Sequence, residues 1–160
     1  MIVMNVIKRL GNENQFRNLI EKARRSNLLI EAYVDRQCFE RHRCKIKVDN
    51  KEISVNMLGI PLKDGDVLVT DEGYIVILRL KEESVLSFKL NELEKSFKLG
   101  YEIGNLHLRI MLKDNEVIIP TEIGIDYLLQ KFKDYNPKLK KEKFLPNIEP
   151  TAVVISFADT

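Results

Sequence analysis

Between Leu28 and Leu78 the chain never holds one pattern for long. Runs of alternating apolar and polar residues, each the length of a short strand, are broken by clusters of Asp, Asn, Gly and Pro. The runs are Leu28–Val34, Arg43–Val48, Glu52–Met57, Val67–Val69 and Tyr74–Leu78. Strands this short cannot bury a face alone, so they must pair into one small sandwich or barrel. Asp49-Asn50 joins two of them as a tight hairpin, because both residues tolerate positive φ. Gly59-Ile-Pro-Leu-Lys-Asp-Gly-Asp66 is a loop rich in turn residues, as is Asp71-Glu-Gly73. Ahead of this β-rich stretch, Met1–Leu10 alternates as a strand and Gly11–Asn14 has turn chemistry. Phe16, Leu19, Ile20 and Ala23 then recur at helical spacing.

Beyond Leu80-Lys81 the pattern changes. Ser84–Leu90 reads as a strand, and Asn91 with Glu94 three residues on has capping-box spacing. The helix so opened carries Leu93, Phe97 and Tyr101 on one stripe and ends at Gly104-Asn105. Leu108–Leu112 and Val117–Ile119 are strands split by the turn Lys113–Glu116. Thr121 is expected to cap a second helix with Ile125, Leu128, Leu129 and Phe132 inward, and Lys138–Phe144 closes the set as a strand. The order β-α-β-β-α-β is the ferredoxin-like one. The expected class is therefore α+β: a β-rich amino-terminal domain over 1–80, a ferredoxin-like domain over 81–147, and a tail over 148–160 with an apolar centre, Thr151–Phe157.

A chain of 160 residues with 44% hydrophobic and 31% charged residues and a formal net charge of +2 suits a soluble globular protein, and global charge names no partner. Domains this small often lean on a second copy, so oligomerisation is expected. Met1–Ile7 is far too short to span a bilayer, which takes about 20 apolar residues. Neither a secretory leader nor a disulfide framework is expected from this opening and two cysteines, so a cytoplasmic location is expected.

No nucleophile with its base, no paired carboxylates and no phosphate-cradling glycine loop can be read from the sequence, and an enzyme is not expected. The histidines are His42 and His107. A lone imidazole most simply packs at a strand mouth, capped by a carbonyl and flanked by Leu106 and Leu108, because zinc, nickel and copper each want roughly four donors. Twofold symmetry changes this: if Leu106, Leu108 and Met111 help form an isologous interface, a residue near the axis appears twice. Cys38, His42 and Cys44 share one face if the segment is extended, with the two cysteines roughly 20 Å apart. That is too far for one ion or a disulfide unless the chain turns between them, and two small buried thiols among basic residues are expected instead. The run Lys131, Lys133, Lys138, Lys140, Lys141 and Lys143 is a solvated helix end and edge strand. An RNA- or protein-binding surface there is the alternative. The paired aromatics that stack bases are absent, with Arg109, Met111 and Ile118 in such positions, and nucleic acid is not expected.

Tyr101-x-x-Gly104-Asn105-x-His107 resembles the signature of the urease accessory nickel metallochaperones. Leu62-x-x-Gly65-Asp66-Val67-Leu68, Arg41-x-Arg43, Phe144-x-Pro146 and Ile7-x-x-Leu10-Gly11-Asn12 are similar to further motifs of that family, in the same order. The resemblance implies an amino-terminal domain that binds a partner or an unfolded segment. It also implies a ferredoxin-like domain that dimerises, with possible pairing of dimers, and holds Ni(II) through His107 of each subunit. Zn(II) or Cu(II) would substitute on ligand chemistry, and no organic cofactor is implied. The implied partners are the urease apoenzyme and the GTPase-containing accessory proteins.

Gly104 and Asn105 are expected to turn the chain out of the helix and hold the imidazole, Asn105 also orienting it. Leu106 stands where the family signature has arginine. The ending lacks the histidine-rich tail of many members, and the start of the second helix offers only Glu122 as a further, peripheral ligand. About one ion per dimer is therefore expected.

Overall fold

The computed structural model describes residues 1–150. Two compact units make up the chain, one of Met1–Lys81 and a second that begins at Glu82. Both are mixed, β-rich α+β structures.

In the first unit six strands form a nearly closed, barrel-like sheet: β1 (Ile2–Asn12), β2 (Leu29–Val34), β3 (Arg43–Val48), β4 (Lys51–Asn56), β5 (Asp66–Thr70) and β6 (Ile75–Leu80), in the order β2-β6-β5-β1-β4-β3. The curl depends on β1. Its first residues pair in parallel with β4, and from Val6 onward it pairs antiparallel with β5, with register shifts between Val6 and Lys8 and between Arg9 and Gly11. Such irregularities bend and twist a strand, which lets one strand serve two directions of pairing. The turn expected at Gly11–Asn14 therefore begins later, since Gly11 and Asn12 still belong to β1. Gly11 is required there: at φ 143° a Cβ would lie 2.9 Å from Gln15 Oε1 and 3.2 Å from the Phe16 ring. Asn12 caps the following 3-10 turn, accepting from the Asn14 amide while Gln15 accepts from its own.

Helix α1 (Arg17–Arg25) lays Ile20 and Ala23 against Val67, Ile75 and Ile77. The opposite face of the sheet encloses Met4, Ile30, Ala32, Ile53, Leu68, Val76 and Leu78. Asp66 is buried and receives the Arg9 guanidinium at 2.8 Å and the Lys63 amide at 2.8 Å. Its neighbour Gly65 has φ 86°, so the Gly65-Asp66 pair places a turn and a buried ion pair at the start of β5. The bond to Asp66 raises the Arg9 pKa further above its already high value.

The second unit holds β7 (Glu83–Lys89), α3 (Leu93–Asn105), β8 (Met111–Lys113), β9 (Glu116–Pro120), α4 (Ile125–Lys131) and β10 (Lys138–Glu142). Its four strands lie in the order β10-β7-β9-β8, all neighbours antiparallel. One sheet face packs Leu86, Phe88, Val117 and Ile119 against Leu99 and Ile103 of α3 and against Leu128 and Phe132. Phe88 and Phe132 meet edge to face at 5.5 Å. Val85, Met111, Ile118 and Phe144 cover the other face. Asn147 then clamps β8 through two bonds to the Leu112 backbone, each 2.9 Å, and Ile148 bridges Ile110. The Phe144-x-Pro146 element thus closes the back of this sheet.

Several expectations shift. Asn91 does not cap α3: Leu90 still donates to the Asn115 carbonyl, so the backbone stays extended through Glu92, which sits at the N-cap without a side-chain bond. Thr121 does not cap α4, because its hydroxyl donates to the Ser84 carbonyl at 2.8 Å. The helix starts instead after Gly124, at φ 125°. The apolar segment Thr151–Phe157 lies outside the described residues.

Candidate metal centre

Helix α3 is amphipathic twice over. Leu99 and Ile103 face the core, while Leu93, Phe97 and Tyr101, spaced four apart on one stripe, are 91%, 77% and 68% exposed. Three large apolar side chains in line on a solvent face form a patch of the kind that marks an interaction site. Of the interface residues expected from the sequence, Met111 is buried at 6% exposure, while Leu106 and Leu108 are half-buried and pack against the core beneath α3. Their apolar character serves the fold, and the exposed stripe lies one helix face away.

Gly104 and Asn105 are the last residues of α3, not the turn out of it. The left-handed residue is His107 itself, at φ 54°, and its amide donates to the Gly104 carbonyl at 3.1 Å. The Leu106 amide donates to the carbonyls of Gly104 and Ile103. These bonds satisfy carbonyls that a helix end leaves free and fix the direction in which the chain departs. His107 is exposed, and the next strand starts only at Met111, so the imidazole stands at a helix exit and not at a strand mouth. Its side chain makes no hydrogen bond or ion pair with the described residues.

Glu122 is exposed in the turn between β9 and α4. Among the described residues, no group of three His, Cys, Asp or Glu is arranged to hold a metal ion. The described residues of one protomer therefore offer at most part of a coordination sphere at His107, since transition metals want roughly four donors.

The second sequence candidate has a different geometry from the one expected. Residues Arg36–Arg41 form a short helix, α2, and His42 follows in the left-handed conformation at φ 56°. This turn brings the Cα atoms of Cys38 and Cys44 to 5.2 Å, and their sulfurs form a disulfide. The extended-strand expectation put them far apart because it missed α2. Cys38 lies within the first unit's core, and the bonded sulfurs are not free metal ligands. His42 Nδ1 is buried without a hydrogen-bond partner.

Of the basic run, Lys140 is held by Glu116 at 3.2 Å. Glu116 also accepts from Ser87, and these contacts, the Lys140 bond foremost, lower its pKa below the ordinary carboxylate value.

No family model matches the chain. Among curated proteins, it is 30% identical over 84 residues to the urease accessory protein UreE of Bacillus sp. (strain TB-90), covering 50% of this chain and 57% of that protein. It is 34% identical over 71 residues to the UreE of Lysinibacillus sphaericus (strain C3-41), covering 44% and 48%. It is 30% identical over 86 residues to that of Prochlorococcus marinus (strain AS9601), covering 53% and 57%. The chain spans about half the length of the curated relatives it matches.

Proposed function

Starting from a chain related to the UreE urease accessory proteins, we propose that it is a urease accessory metallochaperone that carries Ni(II) between two copies of itself. The observation that carries the proposal is the continuity of α3: an exposed apolar stripe, Leu93-Phe97-Tyr101, on the helix whose exit presents an exposed His107 that has no partner among the described residues. A second copy is the occupant argued for here, because a half-site of one imidazole becomes a pair only about a twofold axis. The interface and the site then explain each other.

In this arrangement His107 of each subunit binds one Ni(II) per dimer, and water or a second dimer fills the other positions. Glu122 is a peripheral donor. Gly104 accepts the bond that orients the His107 backbone, and Asn105 flanks it. A site with few protein donors releases its ion readily, which suits delivery better than storage. Imidazole accepts Zn(II) and Cu(II) as well. The antiparallel order β10-β7-β9-β8 with two helices on one face supports a ferredoxin-like metal-binding and dimerisation domain. The barrel-like first unit would dock a partner or peptide. The recipients would be the urease apoenzyme and its GTPase-containing accessory proteins, in the cytoplasm. No helix among the described residues is long and apolar enough to cross a membrane.

Calorimetric titration with Ni(II) tests this directly. The wild type should bind about one ion per dimer, and His107→Ala should lose that site while His42→Ala keeps it. Equal stoichiometry and affinity in wild type and His107→Ala would remove His107 from the site.

A further inference from the structure

A polar crevice in the second unit lies away from His107, where the sheet is incomplete. Strand β10 begins at Lys138, opposite Ser87, whereas β7 runs on to Lys89, so the end of β7 has no strand beside it on that edge. The gap is bounded by Asn91 ahead of α3, by Lys95 and Ser96 in its first turn, and by Tyr135 and Asn136. Ser87 and Leu99, both buried, form its inner wall.

Lys89, Lys95 and Lys138 all line this crevice. Glu116 is its one carboxylate, and Lys140 and Ser87 already occupy it. None of the three lining lysines has a carboxylate within salt-bridge distance among the described residues. Lys95 instead rests over the Tyr135 ring, 5.9 Å from its centroid, which holds that ammonium toward the gap. Burial, with Glu102 and Asp134 nearby, raises the Tyr135 pKa, so the phenol stays a hydroxyl donor at neutral pH. The carboxamides of Asn91 and Asn136 add neutral donors.

We propose that this crevice binds a small dianionic phosphate, as the free ion or a phosphomonoester. Three lining ammonium groups against the single carboxylate of Glu116, which also acts on Lys89, leave a positive surplus that matches the charge near two of a phosphate at neutral pH. Lysine binds phosphate oxygens as a point charge, and three such ammonium groups around one crevice suit an oxyanion whose charge is spread over several oxygens.

The test is a titration of the full-length 15N-labelled protein with sodium phosphate and, separately, with glycerol phosphate, at fixed ionic strength and pH 7.5. Saturable shifts of the Ser87, Lys89 and Asn136 amides, at least tenfold tighter for phosphate than for acetate, are expected. Lys95→Ala with Lys138→Ala should weaken binding about tenfold or more without moving the thermal midpoint, while Lys131→Ala should not change it. Whichever phosphate binds more tightly identifies the form recognised. Linear, unsaturable shifts, equal response to acetate, or unchanged affinity in the folded double variant would overturn the proposal.

Discussion

The His107 amide donates to the Gly104 carbonyl at 3.1 Å, and this bond holds the histidine in the left-handed conformation at the end of α3. A β-branched residue could not sit there without strain, but asparagine could. His107→Asn should therefore remove Ni(II) binding while changing stability by no more than about 0.5 kcal/mol, as for an exposed site. Paired nickel titration and urea denaturation separate the two effects. Loss of nickel accompanied by a large drop in stability would point to a structural role instead.

Phe97 is the centre of the exposed stripe on α3. Phe97→Glu should leave each protomer folded and shift the sedimentation equilibrium toward monomer, and the nickel stoichiometry per chain should fall with it. Retention of a dimer would place the interface elsewhere.

Phe132 is fully buried against Phe88 and Leu128 in the second unit. Phe132→Ala should cost about 3–5 kcal/mol, as for large cavities in cores. Chemical denaturation followed by near-ultraviolet circular dichroism gives the value.

Glu116 contributes a pH-dependent increment. Its native pKa is depressed from the ordinary 4.5, first by the Lys140 bond and then by Ser87, so between those two values the native state holds fewer protons on it than the unfolded chain. Its stabilisation is therefore complete above about pH 4.5 and is lost as pH falls through the depressed native value. Glu116→Gln should cost under about 1 kcal/mol at neutral pH, because the pair is partly solvated. The difference from wild type should shrink as pH falls below about 4.5 and through the depressed native value, as read from denaturation curves over a descending pH series from pH 7.

Cys38 and Cys44 close a loop of sequence separation 6 around α2. On the chain-entropy model so short a loop contributes on the order of 2 kcal/mol. Dithiothreitol should lower the thermal midpoint of the wild type but not that of Cys38→Ser with Cys44→Ser. Identical midpoints for wild type with and without reductant would mean that the bond adds nothing.

Most of the strands were legible from residue pattern alone. Period-two alternation in Arg43–Val48 and Glu52–Met57, joined by Asp49-Asn50, is a local signal, and the hairpin forms there with its second strand at Lys51–Asn56. Asp114 and Asn115, both left-handed, make the second-unit hairpin for the same reason. Helix α2 was missed because six residues carry too little periodicity to register, and the Cys38–Cys44 pairing was lost with it. The caps at Asn91 and Thr121 failed because distant partners intervened: Asn115 held the backbone extended before α3, and the Ser84 carbonyl took the Thr121 hydroxyl.

For the candidate site, sequence alone singled out the proposed ligand, since His107 is one of only two histidines and lies in a motif that resembles a known signature. It also determined that Leu93, Phe97 and Tyr101 share a stripe, because helical spacing is a property of consecutive residues. Tertiary structure decided which apolar residues remain outside. Leu106, Leu108 and Met111 look equally suited to an interface as letters, but packing buries Met111 in the sheet and half-buries Leu106 and Leu108. Burial is set by what lies across the gap from a side chain, and those neighbours come from distant parts of the chain.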